Sequence, residues 1–129
     1  MNTAELASAK VTWEDVKSSS GPEAKPGDNL LVLYKVALSV EDLDRGVVIE
    51  STFSPDQFVE IVYSKEALLP GVFLGLQGMR AGGSVRRIRI PAAFAFGQRG
   101  HDPLIPPGSD LVVDLCLARV LTGIRNTAP

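Results

Sequence analysis

The sequence has very little of the chemistry that disulfides and metal sites require. Its 129 residues include one cysteine, Cys116, and one histidine, His101. A single cysteine excludes an internal disulfide and any metal site built from several cysteines. A single histidine likewise leaves no histidine pair to hold a metal ion. We therefore expect a protein that works without a metal or another cofactor.

The sequence also lacks an excess of positive charge and a long apolar run. Its 13 basic and 15 acidic side chains leave a net charge of −2, which argues against a nucleic-acid partner or an anionic membrane surface. No apolar run approaches the roughly 18 residues of a membrane span. The N-terminal segment MNTAELASAK has neither a basic start nor an apolar core, so no secretory signal is predicted. We therefore expect a cytoplasmic protein with no membrane attachment.

What the sequence does have is the composition of a globular domain and a pattern dominated by strands. With 45% apolar and 22% charged residues, the chain is typical of one soluble domain. Alternating apolar positions predict a weak strand at 11–13 and further strands at 30–38, 47–51, 58–63, 88–90 and 111–117. An acidic turn is predicted at 41–46. Helical spacing around Leu69 predicts one short helix with Pro70 in its first turn.

The order of these elements favours an α+β fold. A single helix stands alone among the strands, so parallel βαβ winding is not expected. The predicted architecture is an antiparallel sheet of five or six strands wrapped around one short helix.

The remaining short patterns carry weak signals of chemistry. Gly78–Gly83 has the spacing of a phosphate-binding loop, yet Ser84 stands where that loop requires lysine. A serine nucleophile would need the turn motif Gly-x-Ser-x-Gly, which the sequence does not contain. Cys116 has apolar neighbours on its predicted strand and is interpreted as a small buried hydrophobic residue.

The one basic cluster of the sequence consists of Arg80, Arg86, Arg87 and Arg89. Arg87 and Arg89 alternate with isoleucines, as in a strand that has one apolar face. This alternation favours a solvated sheet face over a nucleic-acid-binding stripe.

The segment from Pro91 to Gly108 is the most unusual part of the sequence. It holds four prolines, three glycines, two phenylalanines and the only histidine. Prolines stiffen such a segment, and glycines permit its turns. Two interpretations remain open at this point: a surface loop packed on its own side chains, or one wall of a preformed apolar pocket.

Three ordered motifs resemble the FKBP family of peptidyl-prolyl cis–trans isomerases. They are Ala24–Tyr34 (AKPGDNLLVLY), Leu68–Ile90 (LLPGVFLGLQGMRAGGSVRRIRI) and Pro91–Leu117 (PAAFAFGQRGHDPLIPPGSDLVVDLCL). The resemblance implies an FKBP-like domain at 11–121, with a flexible N-terminal segment at 1–10 and a C-terminal tail at 122–129. The fold it implies is a curved antiparallel β-sheet of five to six strands wrapped around one short α-helix, which agrees with the strand pattern.

The activity that the resemblance implies is rotation about X–Pro peptide bonds in proline-containing peptides or proteins. Amide rotation crosses a barrier of about 18–20 kcal/mol because resonance is lost in the twisted state. The cis and trans forms of X–Pro lie within about 1 kcal/mol of each other, so both are populated. The reaction breaks no covalent bond, which agrees with the scarcity of nucleophiles and metal ligands in the sequence.

The resemblance also implies which residues meet the substrate. The catalytic set would be Tyr34, Glu50, Leu69 and Phe96. The backbone N–H of Leu69 would donate a hydrogen bond to a substrate carbonyl, and the loop carrying Leu104 and Ile105 would close over the proline. The implied substrate-binding residues are Ile49, Val59, Leu68, Val72, His101, Leu104, Ile105 and Val113.

At several of these positions the sequence departs from the family pattern. Val72 stands where most members have a tryptophan at the floor of the pocket, and Phe96 replaces a tyrosine whose hydroxyl bonds the peptide. Ile49 and Glu50 replace a Phe–Asp pair, and Val113 replaces a further aromatic residue. The lost hydroxyl costs about 0.5–1.5 kcal/mol of peptide binding. We therefore expect a wider, less aromatic pocket, reduced activity and weak binding of the family's macrolide drugs.

Three functions stay open on the sequence. The first is a peptidyl-prolyl isomerase of reduced activity that assists protein folding. The second is an FKBP-like module that binds a client peptide or partner protein and has little or no isomerase activity. The third is a different enzyme that uses the widened cavity for a small apolar substrate.

One further departure from the family pattern concerns length: the turn between the strands of Tyr34 and Ile49 is longer than is usual in the family.

Overall fold

The structure is a computed structural model that describes residues 10–53 and 57–121. The strands are β1 (Thr12–Lys17), β2 (Asn29–Ala37), β3 (Glu50–Ser51), β4 (Val59–Val62), β5 (Ser84–Ile90) and β6 (Leu111–Val120). The helices are α1 (Val40–Asp44) and α2 (Pro70–Gly75), with a 3-10 turn at Ala92–Phe94. The predicted tail at 122–129 lies outside the described residues, as does the predicted N-terminal segment 1–10 except for Lys10.

The six strands form one antiparallel sheet. Its order is β1-β5-β6-β2-β3, and β4 shares with β3 the edge of β2 that faces away from β6. β3 pairs with Lys35 and Val36, whereas β4 pairs with the first half of β2. The predicted α+β architecture, an antiparallel sheet of five to six strands with a short helix, is confirmed.

The hydrophobic core lies on one face of the sheet. We call this face, to which Val32, Ile88 and Leu115 point, the inner face, and the opposite one the outer face. Successive side chains of a strand point to opposite faces, so every second residue enters the core. This alternation agrees with the sequence prediction in the two central strands, whose buried inner-face residues are Leu30, Val32, Leu111, Val113, Leu115 and Leu117.

Helix α2 packs closely on β5 at the inner face. Pro70 begins the helix, as predicted, at a position where its missing N–H leaves no hydrogen bond unmade. A Cβ placed on Gly71 would lie 2.2 Å from Cγ2 of Ile90, and one placed on Gly75 would lie 2.7 Å from the Ile88 side chain. Two glycines one turn apart therefore let the helix backbone rest directly on the strand.

The predicted acidic turn at Glu41–Gly46 is wrong, because most of this segment forms helix α1. Ser39 has extended backbone angles, and its hydroxyl accepts a hydrogen bond from the Asp42 N–H at 3.1 Å, which is a helix N-cap. Glu41 and Asp42 place negative charge in the first turn, where the helix dipole favours it. A helix of five residues is too short to show a period in the sequence.

Helix α1 covers one end of the outer face with a small hydrophobic cluster of its own. Leu43 is 2% exposed and packs with Ala37 of β2 and Val112 of β6. Val40 and Val48 pack against this cluster from both ends of the helix. The longer turn noted in the sequence therefore forms a packed element that belongs to the sheet.

Arg86, another member of the basic cluster, is buried. It points toward the inner side of the sheet, where its Nε donates to Asp15 at 2.7 Å. Its Nη1 donates to the carbonyl oxygens of Gly75 at 2.9 Å and Gln77 at 2.6 Å. The C-terminal carbonyls of a helix lack intrahelical partners, so this buried arginine completes the end of α2.

Arg87 and Arg89 both lie on the outer face but differ in environment. Arg89 is exposed, 3.4 Å from Glu14, as expected of a solvated face. Arg87 is only 17% exposed and is held between Asp44 and Asp114. The predicted solvated face is therefore correct for Arg89 and wrong for Arg87, because the sequence did not reveal the helix that covers it.

Candidate functional site

A cavity of about 320 Å³ lies between the inner face, the start of α2 and the segment 91–108. Of its sixteen lining residues, thirteen are apolar, and the polar ones are Tyr34, Glu50 and His101. Ligand sites are commonly concave and mainly apolar, with a few polar groups that fix orientation. This cavity has that composition.

Ten of the twelve site residues implied by the resemblance line the cavity. They are Tyr34, Ile49, Glu50, Leu68, Leu69, Val72, Phe96, His101, Ile105 and Val113. The structure leaves the other two outside the lining. Val59 packs on the core beside the cavity, and Leu104 is 56% exposed next to Ile105.

Six further residues line the cavity without having been named from the sequence. They are Val32, Val36, Ile61, Ala67, Leu111 and Leu115. Strand periodicity could have found most of them, because residues two apart share a face. Val32 and Val36 flank Tyr34 in this way, and Leu111 and Leu115 flank Val113. The resemblance names positions known to meet ligands, but it does not name the whole wall.

The start of α2 offers a hydrogen-bond donor at the cavity. Leu69 is the N-cap residue, and its carbonyl accepts from the N–H groups of Val72 and Phe73, each at 3.0 Å. The first N–H groups of a helix have no intrahelical acceptor. Within the part of the chain that the structure describes, the Leu69 N–H makes no backbone hydrogen bond. It can therefore donate to a carbonyl placed in the cavity.

Tyr34 and Glu50 form the polar edge of the cavity. The Tyr34 hydroxyl donates a hydrogen bond to Oε2 of Glu50 on the neighbouring strand. Burial, together with this hydrogen bond and the Glu50 charge, raises the pKa of Tyr34 to about 12. The backbone also ties the two strands here: Thr52 N–H donates to the Tyr34 carbonyl at 2.7 Å, and Ile49 N–H to that of Val36, also at 2.7 Å. The phenol therefore stays neutral and oriented at physiological pH.

The segment 91–108 supplies the opposite wall. His101 and Ile105 exchange backbone hydrogen bonds of 2.8 and 2.9 Å, which closes a tight loop. The His101 ring stacks on Phe96, with centroids 5.0 Å apart and planes at 21°. Gly100 has φ +69°, and a Cβ there would lie 2.4 Å from the Ile105 carbonyl oxygen. Of the two interpretations left open by the sequence, the structure supports the pocket wall.

The described residues contain neither a cluster of metal-ligating side chains nor a membrane-spanning helix. Within 10–53 and 57–121, no group of three or more His, Cys, Asp or Glu side chains could hold a metal ion. No helix in the same ranges is long and apolar enough to cross a membrane. The polar groups at the cavity are thus a phenol, a carboxylate, an imidazole and a backbone N–H.

Comparison with solved structures finds the same fold. FkpA from Escherichia coli matches with a TM-score of 0.71 and 25% identity, covering 91% of this chain and 55% of that one. The N-terminal domain of FKBP42 from Arabidopsis thaliana matches with a TM-score of 0.72 and 20% identity, covering 86% of each chain. The second match is a likeness of fold alone.

Comparison with known sequences identifies the family. The chain is 36% identical over 110 residues to the 46 kDa FK506-binding nuclear protein of Spodoptera frugiperda, covering 85% of this chain but 25% of that protein. It is 34% identical to the peptidyl-prolyl cis-trans isomerase FPR2 of Saccharomyces cerevisiae, covering 76% of this chain and 69% of that protein. The family model for FKBP-type peptidyl-prolyl cis-trans isomerase matches residues 21–118. The chain therefore belongs to the FKBP-type peptidyl-prolyl cis–trans isomerase family.

Proposed function

We propose that this chain is a peptidyl-prolyl cis–trans isomerase that acts on X–Pro bonds of peptides or folding proteins. The observation that carries the proposal is the apolar cavity with the Leu69 N–H at its edge. A planar amide has more charge separation than a twisted one, so an apolar surrounding favours the twisted state. A donor beside the cavity can hold a flanking carbonyl while the bond rotates.

The free energy required is within reach of such a site. An acceleration of about 10⁴-fold needs roughly 5–6 kcal/mol of preferential binding to the transition state. Burial of apolar area contributes about 25 cal/mol per Å². A proline ring enclosed by apolar walls therefore supplies binding energy, part of which is expressed only when the twisted amide fits the cavity.

We assign the roles of the site residues as follows. The Leu69 N–H donates to a substrate carbonyl, and Tyr34, held by Glu50, presents its phenol ring at the opposite edge. Phe96 contacts the proline ring as part of the aromatic pair that it forms with His101. The other binding positions form the walls and the rim of the cavity: Ile49, Val59, Leu68, Val72, His101, Leu104, Ile105 and Val113. Of these, Val59 and Leu104 meet the parts of a peptide that extend beyond the cavity.

Reduced activity and weak macrolide binding follow from the aliphatic walls. Ile49, Val72 and Val113 all line the cavity and present branched aliphatic side chains there. Phe96 has no hydroxyl to hydrogen-bond a bound peptide, which lowers binding by about 0.5–1.5 kcal/mol. The same features favour a second candidate, a module that binds a client peptide or partner protein with little isomerisation.

We place this activity in the cytoplasm, in protein folding steps that are limited by proline isomerisation. Residues 11–121 would carry it, with 1–10 and 122–129 as flanking segments. We propose no nucleic-acid partner, which the acidic partners of Arg86, Arg87 and Arg89 support. The clients are peptides or proteins that contain proline.

A cis–trans exchange assay tests the proposal. The substrates are short peptides with Leu or Phe before proline, followed by NMR exchange or by a protease-coupled reaction. We expect acceleration by the wild-type chain and its loss in Leu69→Asp, which places a charge at the cavity. The matched control is Val16→Asp, which adds the same charge at a site 62% exposed on β1 and should retain full activity.

The same experiment separates the two candidates. Absence of acceleration by folded wild-type protein would refute the isomerase. Equally tight binding of proline-free and proline-containing peptides would then support the binding module.

A further inference from the structure

The outer face carries an element that the proposed mechanism does not use. Helix α1 follows β2 and precedes β3, the strand that begins with Glu50. Ile49, directly before β3, and Glu50 itself line the cavity on the inner side. The chain therefore passes from the outer-face helix to the cavity wall along one short segment, 45–49.

Arg87 fastens this helix to the sheet. Its Nη2 donates to Oδ1 of Asp44, the last residue of α1, at 3.0 Å. Its Nε and Nη2 also donate to the two carboxylate oxygens of Asp114 on β6, at 2.8 and 3.0 Å. The Asp114 side chain is 9% exposed, so this part of the group is shielded from water. A two-pronged arginine–carboxylate pair of this kind fixes geometry as well as charge.

The segment after α1 is held to the helix and not only to the sheet. Val47 N–H donates to the Asp42 carbonyl at 2.8 Å, and Gly46 N–H donates to that of Leu43 at 3.2 Å. Val48 packs on the outer-face cluster. One residue later, Ile49 N–H donates to the Val36 carbonyl at 2.7 Å. Residues 46 to 48 thus contact α1 or the cluster beneath it, and Ile49 makes the first hydrogen bond to β2 before β3 begins.

Strand β3 is too short to fix its own position. It consists of two residues, and its ladder with β2 contains the pairs Lys35–Ser51 and Val36–Glu50. Such a short edge strand depends on its flanks for its position. Its C-terminal flank is tied to β2 by Thr52, which exchanges hydrogen bonds with Tyr34, and its N-terminal flank is the segment that α1 holds.

We propose that Arg87 is a positioning residue for the cavity: by binding Asp44 it holds α1 on the outer face, and α1 in turn fixes Ile49 and Glu50 at the cavity wall. The consequence for catalysis rests on the proposed isomerase function, whereas the structural coupling does not. Arg87 touches no substrate and acts through the sheet. If Arg87 loses its bond to Asp44, we expect the hydrogen bond between the Glu50 carboxylate and the Tyr34 phenol, on the inner side of the sheet, to weaken.

The test variant is Asp44→Ala, with Arg89→Gln as the matched control. Asp44 is 58% exposed and alanine favours the helix, so the variant should fold while removing the acceptor for Arg87 and leaving the Arg87–Asp114 pair intact. Arg89→Gln removes an ion pair from the same strand and the same face, but one that does not reach α1. Arg87→Lys, which keeps the charge and loses the planar fork, should give an intermediate result.

Two readouts follow the cavity wall without any assay of activity. Amide hydrogen exchange of Ile49 should become about tenfold faster in Asp44→Ala. The Tyr34 pKa, followed by NMR of the labelled ring, should fall from about 12 toward its ordinary value of 10.0 as the Glu50 hydrogen bond weakens. The matched control should leave both unchanged.

The third readout is kcat/KM for X–Pro isomerisation. We expect a loss of about three- to tenfold in Asp44→Ala, and a much smaller loss when Glu50→Gln is already present. Exchange and titration results equal to those of Arg89→Gln would overturn the proposal. If the wild-type chain lacks isomerase activity, the proposed function fails, while exchange and titration still decide whether Arg87 positions the wall.

Discussion

The two faces of the sheet are built from the same strands but differ in composition and role. The inner face carries α2 and the cavity, and among the described residues that line the cavity the one carboxylate is Glu50. The outer face carries α1 and a row of ion pairs that runs from β1 across β5 to β6. Adjacent residues of one strand thus lie in different environments: Leu115 in the apolar core of the inner face, and Asp114 in an ion pair on the outer face.

This difference shows how a mainly apolar site can be held rigid by ion pairs that lie outside it. Directional interactions such as arginine–carboxylate pairs fix geometry, but charges inside the cavity would draw water and oppose the twisted amide. The structure keeps these pairs out of the cavity. Arg87 joins α1 to β6 on the outer face, and Arg86 binds Asp15 outside the cavity lining. The cavity itself has apolar walls and a tyrosine–glutamate pair at its edge.

The largest expected effect comes from placing a charge on the inner face and comparing it with the same charge at the next residue, on the outer face. Leu115→Asp buries an unpaired carboxylate in the core, since Leu115 is 2% exposed, and should cost about 3–5 kcal/mol of unfolding free energy. Cys116→Asp puts the same charge on the outer face, with Lys17 close enough to act on the thiol electrostatically, and should cost about 1 kcal/mol or less. Urea unfolding measures both; equal losses would show that the two faces do not differ as described.

The close contact between α2 and β5 provides the second test. Gly71→Ala drives a methyl group into Ile90 and should cost about 1–3 kcal/mol by overpacking. The same substitution in an Ile90→Ala background should cost less, because the space for the methyl is then present. Thermal or urea unfolding of the wild type and the three variants completes the cycle, and an unchanged cost in the double variant would place the strain elsewhere.

The third test adds a polar group to the cavity wall opposite the inner face. Phe96→Tyr places a hydroxyl at the ring that lines the cavity beside His101. If Phe96 meets the peptide, a new hydrogen bond of about 0.5–1.5 kcal/mol should raise kcat/KM roughly two- to tenfold. Phe94→Tyr, on the same segment but outside the cavity lining, is the control. A rate that stays level or falls would contradict the assignment of Phe96.

The inner face was predictable from the sequence because its signals are local or repeated. Strand alternation identified the buried side chains of β2 and β6, and Pro70 marked the start of α2. The resemblance named ten residues that the structure brings to one cavity. It also named Val59 and Leu104, which lie outside the cavity lining and whose contact with a substrate stays a prediction.

The outer face was not predictable, because its organisation depends on contacts distant in sequence. Nothing near residue 87 indicates that Asp44 and Asp114 will meet there. Helix α1 is too short to show periodicity, and its cap at Ser39 is a weak signal unless Leu43 has a surface to cover. Cys116, predicted to be buried, is half-buried, and burial raises the pKa of its thiol.

The smallest expected effect concerns the tyrosine–glutamate pair at the edge between the two environments. Because the Tyr34 pKa is raised from 10.0 to about 12, the folded state binds the phenolic proton more tightly than the unfolded state. The stabilisation is therefore fully present below pH 10 and is lost as pH rises toward 12. Solvent near the pair screens the interaction, which keeps the effect small.

Unfolding of the wild type and Tyr34→Phe by urea, from neutral pH to pH 12, measures this contribution. The difference in unfolding free energy between the two should be constant up to pH 10 and then decrease. Tyr63, whose buried phenol also has a raised pKa, is present in both proteins and cancels. A difference that stays constant to pH 12 would mean that neither burial nor the Glu50 hydrogen bond raises the pKa of this phenol in solution, and the polar edge of the cavity would then be looser than the structure implies.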